Sequence, residues 1–128
     1  MAKDLLLVNG SLKADGVIFE KGLTANGTST VNNTVFNDWA EFNGALSATN
    51  STSHNVITIL NQTSNFKNCQ FKTIYVKKNP YIRSEQSIRL SNTIISGDIT
   101  FESGAGIVYL DSSSQINGAI IGGSKTKI

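Results

Sequence analysis

Side chains that could act as acids, bases or nucleophiles are sparse in this sequence. It has one histidine, His54, within the polar segment 50–55, and one cysteine, Cys69, between Phe66 and Phe71. His54 has no nucleophile motif beside it, and a cysteine flanked by apolar residues is more typical of a small buried hydrophobe than of a reactive thiolate. One cysteine and one histidine do not supply the four ligands of structural zinc. The sequence therefore predicts no nucleophilic centre, no metal site and no cofactor.

Three carboxylates are the remaining candidates for acid–base catalysis. If the chain folds into stacked turns, Asp98 approaches either Glu102 or Asp111, and many large β-helix enzymes use such carboxylates to cleave polysaccharides. Each of the three is a single charge at an ordinary outward strand position. We therefore expect solvated carboxylates and a protein that is not an enzyme. A carbohydrate-binding or carbohydrate-cleaving β-helix is the alternative.

The composition indicates a β protein. Hydrophobic residues make up 39% of the 128 residues and charged residues 16%, and about a third of the chain is Asn, Ser or Thr, which are weak helix formers. The net charge is only +2, and a nucleic-acid-binding protein usually carries a concentrated basic stripe. The composition thus disfavours long amphipathic helices and a nucleic-acid partner.

The amino-terminal residues predict neither export nor membrane insertion. Only four consecutive apolar residues, Leu5 to Val8, follow the charged start. That run is shorter than the apolar region of a signal peptide and far shorter than a membrane span. A lone cysteine forms no internal disulfide, so nothing indicates an oxidising compartment. The sequence therefore predicts a cytoplasmic protein without a transmembrane segment.

A degenerate glycine motif repeats along the chain. Gly10, Gly44, Gly97 and Gly118 each precede an aliphatic residue by two positions, and Gly22 begins a shortened copy. The interval from Gly22 to Gly44 is nearly the same as the interval from Gly97 to Gly118. Both fall within the period of about 20–50 residues that is typical of solenoids. Short apolar segments that alternate with polar residues lie within and between the copies, as expected for strands.

This pattern predicts an all-β fold, a right-handed parallel β-helix of about five or six short turns, with residues 1–128 forming one domain. An antiparallel β-sandwich is the alternative, because it also uses many short strands separated by turns. The residues predicted to fill the interior are Leu12, Ile18, Leu23, Val31, Phe36, Phe42, Leu46, Ile57, Phe66, Phe71, Ile74, Val76, Ile88, Leu90, Ile99, Phe101, Val108, Leu110, Ile116 and Ile120.

Two stretches resemble known repeat families. The segments 96–99 and 117–120, Ser-Gly-Asp-Ile and Asn-Gly-Ala-Ile, resemble the Gly-x-aliphatic turns of bactofilins, which are small bacterial cytoskeletal proteins. That resemblance implies a right-handed β-helix that polymerises end to end without nucleotide. The segment 65–71, Asn-Phe-Lys-Asn-Cys-Gln-Phe, resembles two pentapeptide repeats, and that family forms square β-helices.

Exposed apolar and aromatic residues are the candidate contact sites. Leu5 to Val8 make a poor polar cap for a first turn, whereas residues 122–127 are polar and charged. Trp39 is out of step with the predicted interior residues around it, and a partly exposed tryptophan often marks an interface. The candidate interface residues are Leu5, Leu6, Leu7, Val8, Trp39, Tyr75, Tyr81, Arg83 and Arg89.

These features predict a non-enzymatic structural or protein-interaction module. Its expected partner is a second copy of the chain, in a homodimer or a polymer, or another protein. A closed dimer through the amino-terminal ends is favoured over an open filament, because like ends need only one adhesive surface.

We expect no turnover above background when the purified protein is screened against polysaccharides and esters. The physical reason is that each candidate acid, base or nucleophile stands alone in the sequence. Turnover that is abolished by Asp98→Ala or Asp111→Ala would contradict this prediction and establish the carbohydrate-active alternative.

Overall fold

The chain winds into a parallel β-solenoid of about seven turns. A computed structural model describes residues 4–61, 63–78 and 86–128, and within these ranges it contains 20 β-strands and no helix. All strand pairs among these residues are parallel. The parallel β-helix prediction is therefore confirmed and the antiparallel sandwich is wrong. The predicted five or six turns are too few.

Three sheets form the sides of the solenoid, and each turn adds one strand to a sheet. The first sheet contains β1 (Leu6–Asn9), β4 (Leu23–Asn26), β7 (Ala40–Asn43), β10 (Val56–Ile59), β13 (Thr73–Val76), β16 (Ile99–Phe101) and β19 (Ile120–Ile121). The second sheet contains β2 (Leu12–Asp15), β5 (Ser29–Asn32), β8 (Leu46–Thr49), β11 (Thr63–Lys67), β14 (Gln86–Ser91), β17 (Gly106–Leu110) and β20 (Gly123–Lys127). The third sheet contains β3 (Ile18–Phe19), β6 (Val35–Phe36), β9 (Thr52–Ser53), β12 (Gln70–Phe71), β15 (Ile94–Ile95) and β18 (Gln115–Ile116).

The first turns all have the same length. On the first sheet Leu6 pairs with Leu23, Leu23 with Ala40, and Ala40 with Ile57. Later turns are longer: the next partner of Ile74 is Ile99, and the partner of Ile99 is Ile120. The period predicted from Gly97 and Gly118 is therefore correct for the last turn only, and the shorter early period explains the larger number of turns.

The motif glycines lie at two different corners. Gly10, Gly27 and Gly44 stack between the first and second sheets, where a Cβ on Gly27 would come within 2.5 Å of the Gly10 carbonyl oxygen. Gly97 and Gly118 stack at the corner that precedes the first sheet, where a Cβ on Gly118 would collide with the Gly97 carbonyl. The interval between Gly22 and Gly44 thus crosses from one corner to another and is not a turn of the solenoid.

The corner between the second and third sheets uses asparagine. Asn33, Asn50, Asn68 and Asn92 have φ angles of 51°, 51°, 55° and 47°, in the left-handed region that asparagine tolerates better than most residues. After each of them comes a buried Thr, Ser or Cys whose side chain donates to a carbonyl two residues earlier; Thr34 Oγ1, for example, lies 2.9 Å from the Asn32 oxygen. This closes the turn without leaving these buried polar side chains unpaired.

The interior contains most of the predicted residues. Ile18 is the exception, because the side-chain alternation of β3 is opposite to the predicted one and buries Phe19 instead. Leu12, Ile116 and Ile120 are half-buried, since they lie in terminal turns that are covered on one side only. The Phe19 and Phe36 rings stack in parallel with centroids 5.4 Å apart, so aromatic packing connects successive layers.

Two adjacent isoleucines on β15 test the side-chain alternation. Ile95 is fully buried and Ile94 is 39% exposed. We expect Ile95→Ala to lower the free energy of unfolding by about 2–5 kcal/mol, because it leaves a cavity in the core. Ile94→Ala is the matched control and should change that free energy by about 0.5 kcal/mol or less. Chemical denaturation of both variants measures the difference, and equal losses would mean that the strand register is wrong.

Candidate functional site

The catalytic candidates are held in structural roles. Cys69 is 1% exposed, and its thiol donates to the carbonyl oxygens of Lys67 and Ala48 at 3.3 and 3.4 Å. Burial raises the pKa of the Cys69 thiol, which keeps it protonated and unreactive. His54 is exposed just after β9. The expected small buried cysteine is thus confirmed, and the structure does not bring His54 and Cys69 into a shared hydrogen bond.

Each of the three candidate carboxylates binds its own donors. Asp98 accepts the Ala119 backbone N–H at 2.8 Å, and Glu102 accepts the Tyr75 hydroxyl at 2.6 Å. Asp111 accepts the Ser113 and Ser114 hydroxyls at 2.8 Å and also the Asn92 backbone N–H. Within the described part of the chain, no hydrogen bond joins Asp98 to Glu102 or to Asp111. The carboxylate pairs considered for carbohydrate cleavage are therefore not hydrogen-bonded pairs.

The hydrogen bonds around these carboxylates alter their acidity. The Ser114 and Ser113 hydroxyls lower the pKa of Asp111 from 3.8 to about 2. The Tyr75 hydroxyl, followed by the Lys78 backbone N–H, lowers the pKa of Glu102, and the same contact with Glu102 raises the pKa of Tyr75. Both carboxylates are therefore ionised hydrogen-bond acceptors at neutral pH, which suits corner closure better than proton donation.

Neither a metal-binding cluster nor a membrane-spanning helix is found in the described ranges. Among those residues no group of three or more His, Cys, Asp and Glu side chains is arranged to hold a metal ion. The same part of the chain contains no helix that is long and apolar enough to cross a membrane.

The predicted aromatic and basic contact residues lie on different sheets. Tyr75 is on the outer surface of the first sheet, next to an ion pair in which Lys77 Nζ lies 3.4 Å from Glu41 Oε2. Arg89 is on the outer surface of the second sheet, with its guanidinium carbon 5.5 Å from the centre of the Tyr109 ring. Tyr81 and Arg83 lie outside the described residues. Tyr75 and Arg89 therefore do not form one patch.

Trp39 lies at the corner between the third and first sheets. Its indole packs over Gly22 of the preceding turn, where an added Cβ would collide with the ring. Its backbone N–H donates to Asp38 Oδ1 at 2.8 Å, and 38% of the residue remains exposed. Trp39 is thus a contact between turns that also presents part of an aromatic ring at the surface.

A shallow groove of about 390 Å³ crosses the outer surface of the second sheet. Its lining combines the polar and charged residues Asn65, Lys67, Arg89 and Asp111 with the apolar residues Phe66, Leu90 and Ile128 and with smaller residues. Two of its charged groups are already engaged, since Arg89 stacks on Tyr109 and Asp111 accepts the corner hydrogen bonds. The groove therefore offers a mixed apolar and polar surface.

The amino-terminal end of the solenoid exposes residues of the core register. Leu6 and Val8 pair with Leu23 and Ala25, which are both fully buried. The side chains of Leu6 and Val8 therefore point into the interior of the solenoid. No described layer covers them, and Leu6 is 39% exposed. Leu5 and Leu7 flank them and are 72% and 61% exposed. This end therefore exposes apolar side chains at interior positions, Leu6 and Val8, and at an outward position, Leu7.

The carboxyl-terminal end has charges at interior positions of the second sheet. Lys125 pairs with Val108 and Lys127 with Leu110, and both of these partners are buried in the layer below. The lysines thus occupy core columns at the last layer, where they remain exposed. An inward-pointing charge is one of the ways in which proteins prevent pairing at a sheet edge. The sequence predicts a polar segment here, but it does not predict that the two lysines lie in register with buried residues of the preceding layer.

A scan against protein-family models, a search of curated proteins and a search of solved structures each found no match to this chain. The fold by itself defines the class, a parallel β-solenoid protein with three sheets. Nothing in the comparisons supports the bactofilin or pentapeptide-repeat resemblance, and the right-handed sense stays a prediction.

The Asp111 corner generates a pH-dependent prediction. Because the pKa of Asp111 in the folded protein, about 2, lies below its ordinary value of 3.8, its ionised form stabilises the fold above about pH 4. That contribution is lost as the pH falls through 2. We therefore expect Asp111→Ala to lower the Tm at neutral pH, and the difference from the wild type to shrink on acidification. Thermal melts across this range test it, with Asp4→Ala as the control for the change in net charge; a constant difference would contradict it.

Proposed function

We propose that this protein is a non-enzymatic structural module that associates with a second copy through its amino-terminal end. The observation that carries the proposal is the difference between the two ends: the first-sheet core columns begin on Leu6 and Val8, whereas the second-sheet core columns end on Lys125 and Lys127. Its single, buried cysteine suits a reducing compartment, so a cytoplasmic location belongs to the proposal.

Two driving forces act at the amino-terminal end. Covering Leu6, Leu7 and their neighbours removes apolar surface from water, which contributes about 25 cal/mol per Å². In addition, β1, β2 and β3 each have a neighbour on one side only, which leaves backbone N–H and C=O groups available for pairing. A single early turn has fewer residues than a standard interface of about 20–30 residues a side. Because the area that one turn can bury is small, the dimer needs backbone pairing in addition to the burial of apolar side chains.

The carboxyl-terminal end is a poor partner for this surface. Stacking it on the amino-terminal end would bring the ammonium groups of Lys125 and Lys127 against the second-sheet core columns, which begin at Leu12 and Ala14. Burying a charge without a compensating partner costs several kcal/mol. Head-to-tail growth into a filament is therefore disfavoured, and two like ends related by a two-fold axis remain.

A two-fold axis that is perpendicular to the solenoid axis and normal to the first sheet also determines the pairing of β1. The operation reverses strand direction, so β1 pairs antiparallel with the partner's β1. Opposed residues in an antiparallel pair point to the same face, and Leu6 and Val8 must face the interior in both copies. The register with the longest overlap then places Leu6 opposite the partner's Val8 and Leu7 opposite the partner's Leu7.

A charge introduced at this end should dissociate the dimer. We expect the wild type to scatter light as a dimer at high concentration and Leu6→Lys as a monomer, because the new ammonium group would be buried in the interface. Ile121→Lys is the matched control: Ile121 is an exposed isoleucine on the first sheet at the opposite end, and its substitution should leave the dimer intact. A wild type that is monomeric at all concentrations would contradict the proposal.

A cysteine at the two-fold axis tests the predicted register. Leu7→Cys should form a disulfide-linked dimer on mild oxidation, since directly opposed Cβ atoms in an antiparallel pair lie within disulfide reach. Ile121→Cys is the control, because position 121 lies in the same outward column at the other end. The native Cys69 is buried and should not compete. A dimer that cross-links through Ile121→Cys instead would overturn the amino-terminal interface while leaving self-association in place.

A further inference from the structure

The dipeptide Asn-Gly occurs four times in the chain, at Asn9-Gly10, Asn26-Gly27, Asn43-Gly44 and Asn117-Gly118. An asparagine followed by glycine is chemically labile, because the glycine nitrogen has no neighbouring Cβ to hinder its attack on the side-chain carbonyl carbon. The structure places these four identical dipeptides in different environments.

The first three dipeptides form a ladder at the corner between the first and second sheets. Asn26 Nδ2 donates to Asn9 Oδ1 at 2.9 Å, and Asn43 Nδ2 donates to Asn26 Oδ1 at 2.8 Å. Two of the attacking nitrogens are also engaged, since the N–H of Gly10 donates to the Asn26 carbonyl at 2.7 Å and that of Gly27 to the Asn43 carbonyl at 3.1 Å. Reaction at these sites requires breaking hydrogen bonds that the stacked turns hold in place.

Asn43 is the most confined of the three amides. Its Nδ2 also donates to Glu41 Oε1 at 3.1 Å, and its Oδ1 is buried away from solvent. Water and the departing ammonia therefore have little access to this amide. The Asn43 side chain cannot turn towards the Gly44 nitrogen without giving up both donor contacts.

Asn117 is exposed and lies in the last turn, where no described layer stacks on it. Gln115 Nε2 donates to its Oδ1, which polarises the carbonyl towards nucleophilic attack. Among the residues that the structure describes, neither Asn117 Nδ2 nor the Gly118 N–H has a hydrogen-bond acceptor. Both reacting groups are thus available at this dipeptide.

We infer that Asn117 is a site of spontaneous deamidation and that the asparagine ladder protects the other three dipeptides. The Gly118 nitrogen bonds to Asn117 Cγ, the Cγ–Nδ2 bond breaks, and the amide nitrogen leaves as ammonia with the proton that Gly118 gives up. Water then opens the cyclic imide at either carbonyl and leaves an aspartate or an isoaspartate at position 117. The only co-reactant is water.

The modification alters the lysine-bearing end of the solenoid. It adds a negative charge in the same turn as Lys125, and the isoaspartate form inserts a carbon into the main chain at a corner where Gly118 packs tightly against Gly97. We expect this to loosen the pairing of β19 with β16, since the register of Ile120 on Ile99 follows directly from that corner.

The sequence contains its own matched control, because Asn43-Gly44-Ala45 and Asn117-Gly118-Ala119 are the same tripeptide. The folded full-length protein is incubated at mildly alkaline pH, digested, and analysed by mass spectrometry with isoaspartate-specific methyl labelling. We expect modification at Asn117 to be faster than at Asn43 by about tenfold or more, the factor that corresponds to one or two hydrogen bonds. Equal rates in the folded protein would overturn the inference.

Two further measurements distinguish protection by the asparagine ladder from an effect of the local sequence on the deamidation rate. In denaturant the two tripeptides should deamidate at similar rates, and a persistent preference for Asn117 there would contradict a structural origin. In the Asn26→Ser variant, which removes one of the two acceptors of Asn43 Nδ2, the rate at Asn43 should rise while the rate at Asn117 stays unchanged. An unchanged rate at Asn43 in a folded Asn26→Ser variant would show that the ladder does not protect.

Discussion

Pairing between successive turns is the constraint on which the structure depends. The backbone N–H and C=O groups of one layer find their partners in the next, so each turn must lie directly over the one before it. The early turns therefore return the chain to the same position at a constant interval, as Leu6, Leu23 and Ala40 show. Insertions are absorbed between strands, which is why Ile74 and Ile99 remain in register although the turn between them is longer.

The corners make this return possible with little strain. A sharp bend needs a residue that accepts a left-handed backbone, and Asn33, Asn50, Asn68 and Asn92 supply it at one corner. The next residue is small and can hydrogen-bond, so it closes the bend from inside, and Cys69 is one such residue. The same demand accounts for part of the Asn, Ser and Thr content. Residue types that suggest chemistry in another setting serve here to satisfy backbone groups.

A structure built from repeated layers differs from layer to layer mainly at its ends. Interior columns are covered above and below by neighbouring layers. At the first layer the first-sheet columns begin on Leu6 and Val8, and at the last layer the second-sheet columns end on Lys125 and Lys127. The stacked Asn9, Asn26 and Asn43 amides illustrate the same principle, because each is held by its neighbours while Asn117 in the last turn is not. Association and chemical change are therefore both expected at the ends.

The sequence alone determined the fold class, because alternation within short strands and turn residues at a solenoid period have few other physical solutions. Leu46 and Ile99 were assigned to the core by their offset from glycine, and both are buried. The period predicted from the glycines is wrong for the early turns, because these glycines belong to two corners. The clearer signal is Asn followed by Thr, Ser or Cys, at positions 33, 50, 68 and 92. Only the tertiary structure decided the phase of β3, the separation of Tyr75 from Arg89, and the placement of Lys125 on a core column. These three features depend on which residues of different turns stack on one another. That stacking is determined by all the layers together and not by any local sequence pattern.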